Sequence, residues 1–205
     1  MGYNPKDFYF KKAKERNFAA RSVFKLEEID QRFKVFRPGQ KVLDLGCAPG
    51  SWMQYASQQV GKNGFAIGID LQKVNLTLTN AEFVQGDAFE ESFIAQQASK
   101  HGIDKFDMVL SDMAPKTTGI RDQDQQRSFE LCIRALDVAQ RWLKPNGTFI
   151  VKFFHSGMFE EYMRLMKPLF VKVDLVRPKS TRKASYEIYL IGLKMQPSRQ
   201  EGSKT

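Results

Sequence analysis

The sequence predicts an α/β fold: a mostly parallel, seven-stranded sheet with one antiparallel strand and helices on both faces. After residue 40, apolar runs of strand length alternate with amphipathic stretches of helix length, a pattern typical of βαβ units. The first run leads into a loop bounded by Gly46 and Gly50, at the edge where open sheets bind ligands. Only the loop 178–184 separates the last two runs, which permits one antiparallel strand.

The individual elements follow from the spacing of apolar residues. Val23, Leu26, Ile29 and Phe33 recur at helical spacing and predict a helix over 22–33, within a basic N-terminal helical region, 1–40. Strands are expected at 41–46, 65–70, 82–85, 107–111, 148–154, 171–176 and 186–192. Further helices are expected at 51–60, 90–101, 124–142 and 158–167. A chain of 205 residues fits one domain over 1–193, and we expect a disordered tail at 194–205.

Composition narrows the class of protein. The chain is 42% apolar and 27% charged, which is ordinary for a soluble globular protein. No apolar run approaches the roughly 18 residues of a membrane span, and the N-terminus lacks the apolar segment of a signal peptide. The two cysteines, Cys47 and Cys132, have neither metal nor disulfide spacing. We therefore expect a cytoplasmic monomer without a metal and without membrane association.

The net charge of +9 is unevenly distributed. Residues 1–41 hold eleven Lys/Arg against five Asp/Glu, and residues 164–205 hold ten against three. The middle, 42–163, is mildly acidic, with eleven against fifteen. Two basic ends that a fold could bring onto one face favour a polyanionic partner, most often nucleic acid. The alternative is charge that serves solubility, together with a loose basic tail.

Acidic residues follow the strands that surround the glycine loop. Asp70 ends the second strand, about 20 residues beyond the loop, where an acid commonly binds ribose hydroxyls. Asp44, Asp87 and Asp112 lie at or near the ends of other strands, although Asp87 could also be a turn residue. The loop lacks the G-x-G-x-x-G fingerprint of pyrophosphate binding. Carboxylates at this edge would suit a cationic ligand that carries a ribose and no phosphate, and S-adenosylmethionine has those properties.

Two charged residues interrupt apolar strands. Lys152 lies within the fifth run and Glu187 within the last. Such residues are rarely buried unless they are paired, so they form a structural pair or they take part in chemistry. The pattern alone leaves both alternatives open.

Taken together, these motifs resemble those of the FtsJ-type (RrmJ-like) ribosomal RNA large subunit 2′-O-methyltransferases, a Rossmann-like, S-adenosylmethionine-dependent class. The resemblance covers about residues 5–193. It is carried by R-S-V-F-K-L-E-E-I at 21–29, D-L-G-C-A-P-G-S-W at 44–52, V-Q-G-D at 84–87, S-D-M-A-P at 111–115, F-I-V-K at 149–152 and S-x-E at 185–187. Single motifs of this kind are weak, but the ordered set is specific. The segment 154–157 and the small residues of the glycine loop depart from the usual family form.

The resemblance implies roles for particular residues. Lys25, Asp112, Lys152 and Glu187 match the family's catalytic tetrad, with Lys152 as proton acceptor. The cofactor-contacting positions match Gly50, Trp52, Asp70, Asp87 and Asp112. The implied reaction is 2′-O-methylation of RNA, most similar to the bacterial type that modifies a uridine of 23S rRNA in the 50S ribosomal subunit.

The chemistry expected of these residues is general base catalysis, since a ribose hydroxyl is a poor nucleophile until its proton is removed. Lys152 could accept that proton only as the neutral amine, while Asp112 and Glu187 orient the site and Lys25 positions substrate or tunes the charge. Basic residues near both ends are expected to contact RNA phosphates: Lys6, Lys11, Lys12, Arg16, Arg21, Arg32, Lys179, Arg182 and Lys183. Three alternatives stay open here: an NAD-type oxidoreductase, an enzyme acting on tRNA or another RNA, and a non-catalytic RNA-binding ribosome-assembly factor.

Overall fold

The computed structural model describes residues 5–115 and 118–197. Its sheet has seven strands in the order β3-β2-β1-β4-β5-β7-β6. These are β1 (Lys41–Leu45), β2 (Phe65–Asp70), β3 (Ala81–Gln85), β4 (Phe106–Ser111), β5 (Leu143–Phe154), β6 (Phe170–Val176) and β7 (Glu187–Met195). Strand β7 runs antiparallel to both of its neighbours, β5 and β6, and the other four strand pairs are parallel. The predicted α/β class and its single antiparallel strand are confirmed.

Within residues 5–115 and 118–197, six α-helices and one 3₁₀ turn cover the sheet. They are α1 (Pro5–Glu15), α2 (Val23–Phe33), α3 (Ser51–Val60), α4 (Glu91–Lys100), α5 (Arg121–Trp142), α6 (Phe159–Met166) and the 3₁₀ turn Lys167–Leu169. Two apolar clusters form, one on each side of the sheet. One contains residues of α4, α5 and α6, and the other contains residues of α2 and α3. The helices therefore form one layer on each face of the sheet. Between these two layers, at the carboxyl ends of the strands, lies the position where open α/β sheets bind ligands.

Several boundaries differ from the predicted ones. Strand β5 begins five residues earlier than expected, because Leu143 pairs with Phe106 before the register shifts. Strand β7 runs two residues beyond the predicted end of the domain, because Met195 pairs with Phe170 and is buried. The predicted disordered tail is therefore wrong at its first residues, and residues 198–205 lie outside the described part of the chain. Within 5–115 and 118–197, no helix is long and apolar enough to cross a membrane.

Candidate functional site

The glycine loop connects β1 to α3 at the carboxyl edge of the sheet. Gly46 and Gly50 have φ values of 72° and 104°, which L side chains rarely adopt. A Cβ on Gly46 would meet Met113, and a Cβ on Gly50 would meet Leu76. The two glycines therefore serve both the backbone turn and the close approach of neighbouring segments, as the sequence predicts. Cys47 fills space under the loop, where its Sγ faces Gly68.

A crevice opens between this loop and the N-terminal end of α2. It is lined by Ser22, Asp44, Gly46, Cys47, Ala48, Ser51, Trp52 and Asp112. Trp52 is almost fully buried, and its indole N–H donates to the Ser22 carbonyl over 3.0 Å. The hydroxyls of Ser22 and Ser51 are 2.9 Å apart. Trp52 thus joins the glycine loop to α2, a connection that its place in the sequence did not reveal.

The acidic residues around this crevice differ in burial and in hydrogen bonding. Asp44 is 1% exposed, and its Oδ2 has no hydrogen-bond partner among the described residues. Burial raises the pKa of Asp44 well above its usual value, and the nearby charges of Asp112 and Asp70 raise it further. Asp70 accepts backbone N–H groups from Ala48 over 2.9 Å and from Gln72 over 2.7 Å, so it also shapes the loop.

Asp87 lies at the outer end of the same edge. Its Oδ1 accepts the Phe89 N–H over 2.9 Å, and its Oδ2 is 3.6 Å from the Arg134 guanidinium. The carboxyl is about half exposed, so the pairing with Arg134 is a surface interaction worth little by itself. Both the predicted turn role and an open position for a ligand are compatible with this geometry.

The four residues of the predicted tetrad form two ion pairs. Lys152 Nζ is 3.0 Å from Asp112 Oδ1 and also donates to the Asp112 backbone carbonyl. Lys25 Nζ is 2.6 Å from Glu187 Oε1. In the first pair the side chains are 8% and 18% exposed, and in the second both are 12% exposed. Each buried charge is therefore paired, as buried charges must be.

Strand register explains why these residues meet. Val151 of β5 lies opposite Ser111, the last residue of β4, so the next residues along, Lys152 and Asp112, are neighbours. Lys152 in turn lies opposite Tyr189 of β7. Because side chains two residues apart on a strand share a face, Tyr189 and Glu187 point to the same side of the sheet.

Tyr189 connects the two ion pairs, and sequence reasoning missed it. Its phenol donates to Asp112 Oδ1 over 2.6 Å, and its ring lies 5.8 Å from Lys25 Nζ. Burial raises the pKa of Tyr189 well above its usual value, as do the charges of Asp112 and Glu187, so the phenol stays a donor. Its position two residues after Glu187 is the only sequence signal that points to it.

The basic loop between β6 and β7 is fastened to α2. Glu28 accepts the backbone N–H groups of Lys179 over 2.5 Å and of Ser180 over 2.9 Å. Arg21 donates to the Ser180 carbonyl over 2.6 Å. Arg177 donates to the Ser185 carbonyl over 2.8 Å and to two further carbonyls of the same loop. These contacts bring the two basic ends of the chain together beside the tetrad.

The fold and the site together define a Rossmann-like enzyme with a ligand crevice at its glycine loop and a lysine–carboxylate cluster beside it. A family model described as FtsJ-like methyltransferase matches residues 18–195, and the chain belongs to this family. It is 57% identical over 194 residues to ribosomal RNA large subunit methyltransferase E of Bdellovibrio bacteriovorus, with 94% of this chain and 98% of the relative covered. It is 50% identical to the protein of the same name from Desulfatibacillum aliphaticivorans, with 91% and 89% covered.

Solved structures agree with this assignment. One, described as a ribosomal RNA methyltransferase from Plasmodium falciparum, is 27% identical and superimposes with a TM-score of 0.77. That match covers 87% of this chain and 98% of the other. A second, described as an rRNA methylase from Clostridium thermocellum, is 19% identical with a TM-score of 0.56 and supports the fold alone. The predicted family and the predicted enzyme class, an RNA methyltransferase, are confirmed.

Proposed function

We propose that this protein transfers a methyl group from S-adenosylmethionine to a ribose 2′-hydroxyl of ribosomal RNA, with a uridine of 23S rRNA in the large subunit as target. The observation that carries the proposal is the pair of buried lysine–carboxylate contacts beside the cofactor crevice. The names of the relatives, which specify the large ribosomal subunit, support the substrate.

The residues around the crevice fit S-adenosylmethionine. Asp44 offers a buried acceptor that lacks a partner among the described residues, and Asp70 and Asp112 add negative charge. Such a site favours a cation and disfavours a polyphosphate. We assign Gly50, Trp52, Asp70, Asp87 and Asp112 to cofactor binding. When bound, S-adenosylmethionine would supply an electrophilic methyl on a sulfonium whose leaving group is a neutral thioether.

The tetrad residues prepare the ribose. Lys152, as the neutral amine, takes the proton of the 2′-hydroxyl, and a positioned base of this kind contributes about 10² to 10⁴ in rate. Asp112 holds the amine through Oδ1 and its carbonyl. Lys25, held by Glu187, places positive charge close to where the oxyanion develops.

RNA binding is assigned to the cationic surface formed by α1, the start of α2 and the β6–β7 loop. Burial lowers the pKa of Arg21, and the nearby charge of Arg182 lowers it further, so an anion there relieves repulsion between the two. Arg16 contributes less than the sequence suggests, because it pairs with Glu27 over 2.9 Å. Lys6 lies in α1, and its side chain is outside the described part of the chain, so its predicted RNA contact stays a prediction.

Labelled methyl transfer tests the proposal. Ribosomes, 50S particles, free rRNA and tRNA are incubated with labelled S-adenosylmethionine, and the modified ribose is mapped. We expect label in the large subunit at one 2′-oxygen. Label in tRNA alone, or on a base, would contradict the proposed substrate or chemistry.

The role of Lys152 is tested by single-turnover kinetics. Lys152→Ala should lower the transfer rate about 10² to 10⁴-fold while cofactor affinity is kept. The matched control is Lys144→Ala, which removes a lysine that pairs with Asp107 near the opposite end of β5. Near-normal transfer by Lys152→Ala would refute its assignment as base.

A further inference from the structure

A second pocket lies beyond the tetrad at the same edge of the sheet. It has a volume of about 300 Å³, near the lower end of ligand pockets in proteins. Its lining residues are Gly119, Arg121, Asp124, Gln125, Phe154, Ala184, Ser185 and Tyr186. None of them belongs to the predicted tetrad or to the predicted cofactor positions.

The pocket offers aromatic surface to solvent. Tyr186 is 55% exposed although it is a large aromatic residue, and the Arg121 guanidinium lies 4.5 Å from the centre of its ring. Asp124 fixes the adjoining loop by accepting the Thr118 N–H over 2.7 Å and the Gly119 N–H over 3.2 Å. The backbone N–H of His155 donates to the Tyr186 carbonyl over 2.9 Å and fixes the backbone that carries the Tyr186 ring.

Strand register places the pocket next to the reacting groups. Phe154 lies directly opposite Glu187 in the β5–β7 pair and two residues after Lys152 on β5. Residues two apart on a strand share a face and are separated by about 7 Å. Tyr186 immediately precedes Glu187. A ribose at the tetrad would thus have its own base within reach of the pocket.

The polar groups of the pocket suit the edge of a base. Ser185 Oγ accepts the Glu187 N–H over 3.2 Å, which leaves its hydroxyl proton to donate. Gln125 uses one amide N–H on the His155 carbonyl over 3.3 Å, so its carbonyl oxygen and second N–H stay available by valence. Proteins read unstacked RNA bases in this way, by stacking on aromatic rings and arginine planes and by hydrogen bonds to base edges.

We infer that this pocket binds the nucleobase of the nucleotide being methylated, stacked on Tyr186 and Arg121, and that it contributes to base specificity. The inference rests on the proposed function, because it requires an RNA ribose at the tetrad. It assigns Tyr186 and Arg121 as specificity-determining residues.

The test compares Tyr186→Ala with Tyr186→Phe, which keeps the ring, and with Val171→Ala, which removes an exposed apolar side chain from β6. Substrates are large subunits that lack the methyl group, with either the native base or a purine at the position mapped for the wild type. Readouts are cofactor affinity, kcat/KM for each subunit, and the ratio of the two. We expect Tyr186→Ala to lower kcat/KM on native subunits about 5- to 150-fold, which corresponds to about 1–3 kcal/mol at 1.4 kcal/mol per tenfold.

The two substrates separate base recognition from a structural role. If the ring binds the base, Tyr186→Ala reduces the preference for the native base, while Tyr186→Phe and Val171→Ala preserve it, and cofactor affinity is unchanged in all three. An equal loss on both subunits would mean that the ring only supports Glu187 and would overturn the inference. So would wild-type kinetics in Tyr186→Ala. If the wild type binds cofactor but methylates no RNA, the proposed function itself fails.

Discussion

The Lys25–Glu187 pair permits a quantitative test of how the tetrad is held. At 2.6 Å and an effective dielectric constant of about 20, the gross attraction is about 6 kcal/mol, and desolvation of the two charges offsets most of it. Removing one partner of a fully buried pair costs roughly 3–5 kcal/mol. Because each side chain here keeps 12% of its exposure, we expect Lys25→Met or Glu187→Gln to lower the free energy of unfolding by about 1–3 kcal/mol.

The double variant shows whether the two residues act through each other. If they do, Lys25→Met/Glu187→Gln costs less than the sum of the single changes, with a coupling energy of about 1–2 kcal/mol in urea unfolding followed by circular dichroism and fluorescence. The surface pair Arg141–Glu91, whose side chains are 57% and 60% exposed, is the control, and its coupling should stay below about 1 kcal/mol. Additive costs at Lys25 and Glu187, or coupling no larger than in the control, would refute this account of the pair.

Three further predictions concern other parts of the site. The folded protein keeps the proton of Asp44 to a higher pH than the unfolded chain does, so the free energy of unfolding of the wild type should fall as the pH rises above about 4. Between pH 5 and 8, the free energy of unfolding of Asp44→Asn should fall less than that of the wild type. If the two proteins lose stability in parallel over this range, the prediction is contradicted. Burial raises the pKa of Cys132 to about 12 and raises that of Cys47 as well, so a thiol reagent should label both only after unfolding, and fast labelling of the native protein would be the contrary result. Glu28→Gln should raise KM for RNA about 5- to 30-fold without changing cofactor affinity, whereas Glu161→Gln, at an exposed position of α6, should change KM little; equal KM values in the two variants would remove Glu28 from RNA positioning.

The sequence predicts well where the strands lie along the chain and that one of them is antiparallel, because each apolar run has one register in which its buried side chains fit. The sequence also predicts the crevice, because parallel strands place the acidic residues at their carboxyl ends along one edge of the sheet. It fails at β5, where the extra residues from Leu143 pair across an irregular register that no periodicity reveals. It also fails at Met195, whose burial depends on pairing with a strand that lies 25 residues earlier in the chain.

Within the site, residue types could be predicted but pairing could not. A lysine and an acid in apolar strands indicate ionic contacts, yet the obvious partners, Lys152 and Glu187, do not pair with each other. Lys152 pairs with Asp112 at the neighbouring strand end, and Glu187 pairs with Lys25 on α2. Which lysine pairs with which acid depends on the register of β4, β5 and β7, and that register is set between residues that are distant in sequence. Tyr189 looked like an ordinary strand residue because its phenol finds Asp112 only through the same register.

Helix α2 contacts both the crevice at the glycine loop and the basic β6–β7 loop, which we propose to bind the cofactor and RNA respectively. Its N-terminal end carries Ser22, which contacts Ser51 and Trp52 of the crevice, and one turn later it carries Lys25. The next turn carries Glu28, which fastens the basic loop. A displacement of α2 by a ligand in the crevice would therefore move Lys25 and the basic loop together, since one rigid helix holds all three contacts. The glycine loop is thus joined to Lys25 through a helix whose apolar spacing predicts the helix alone, and only the resemblance singles out Lys25 within it.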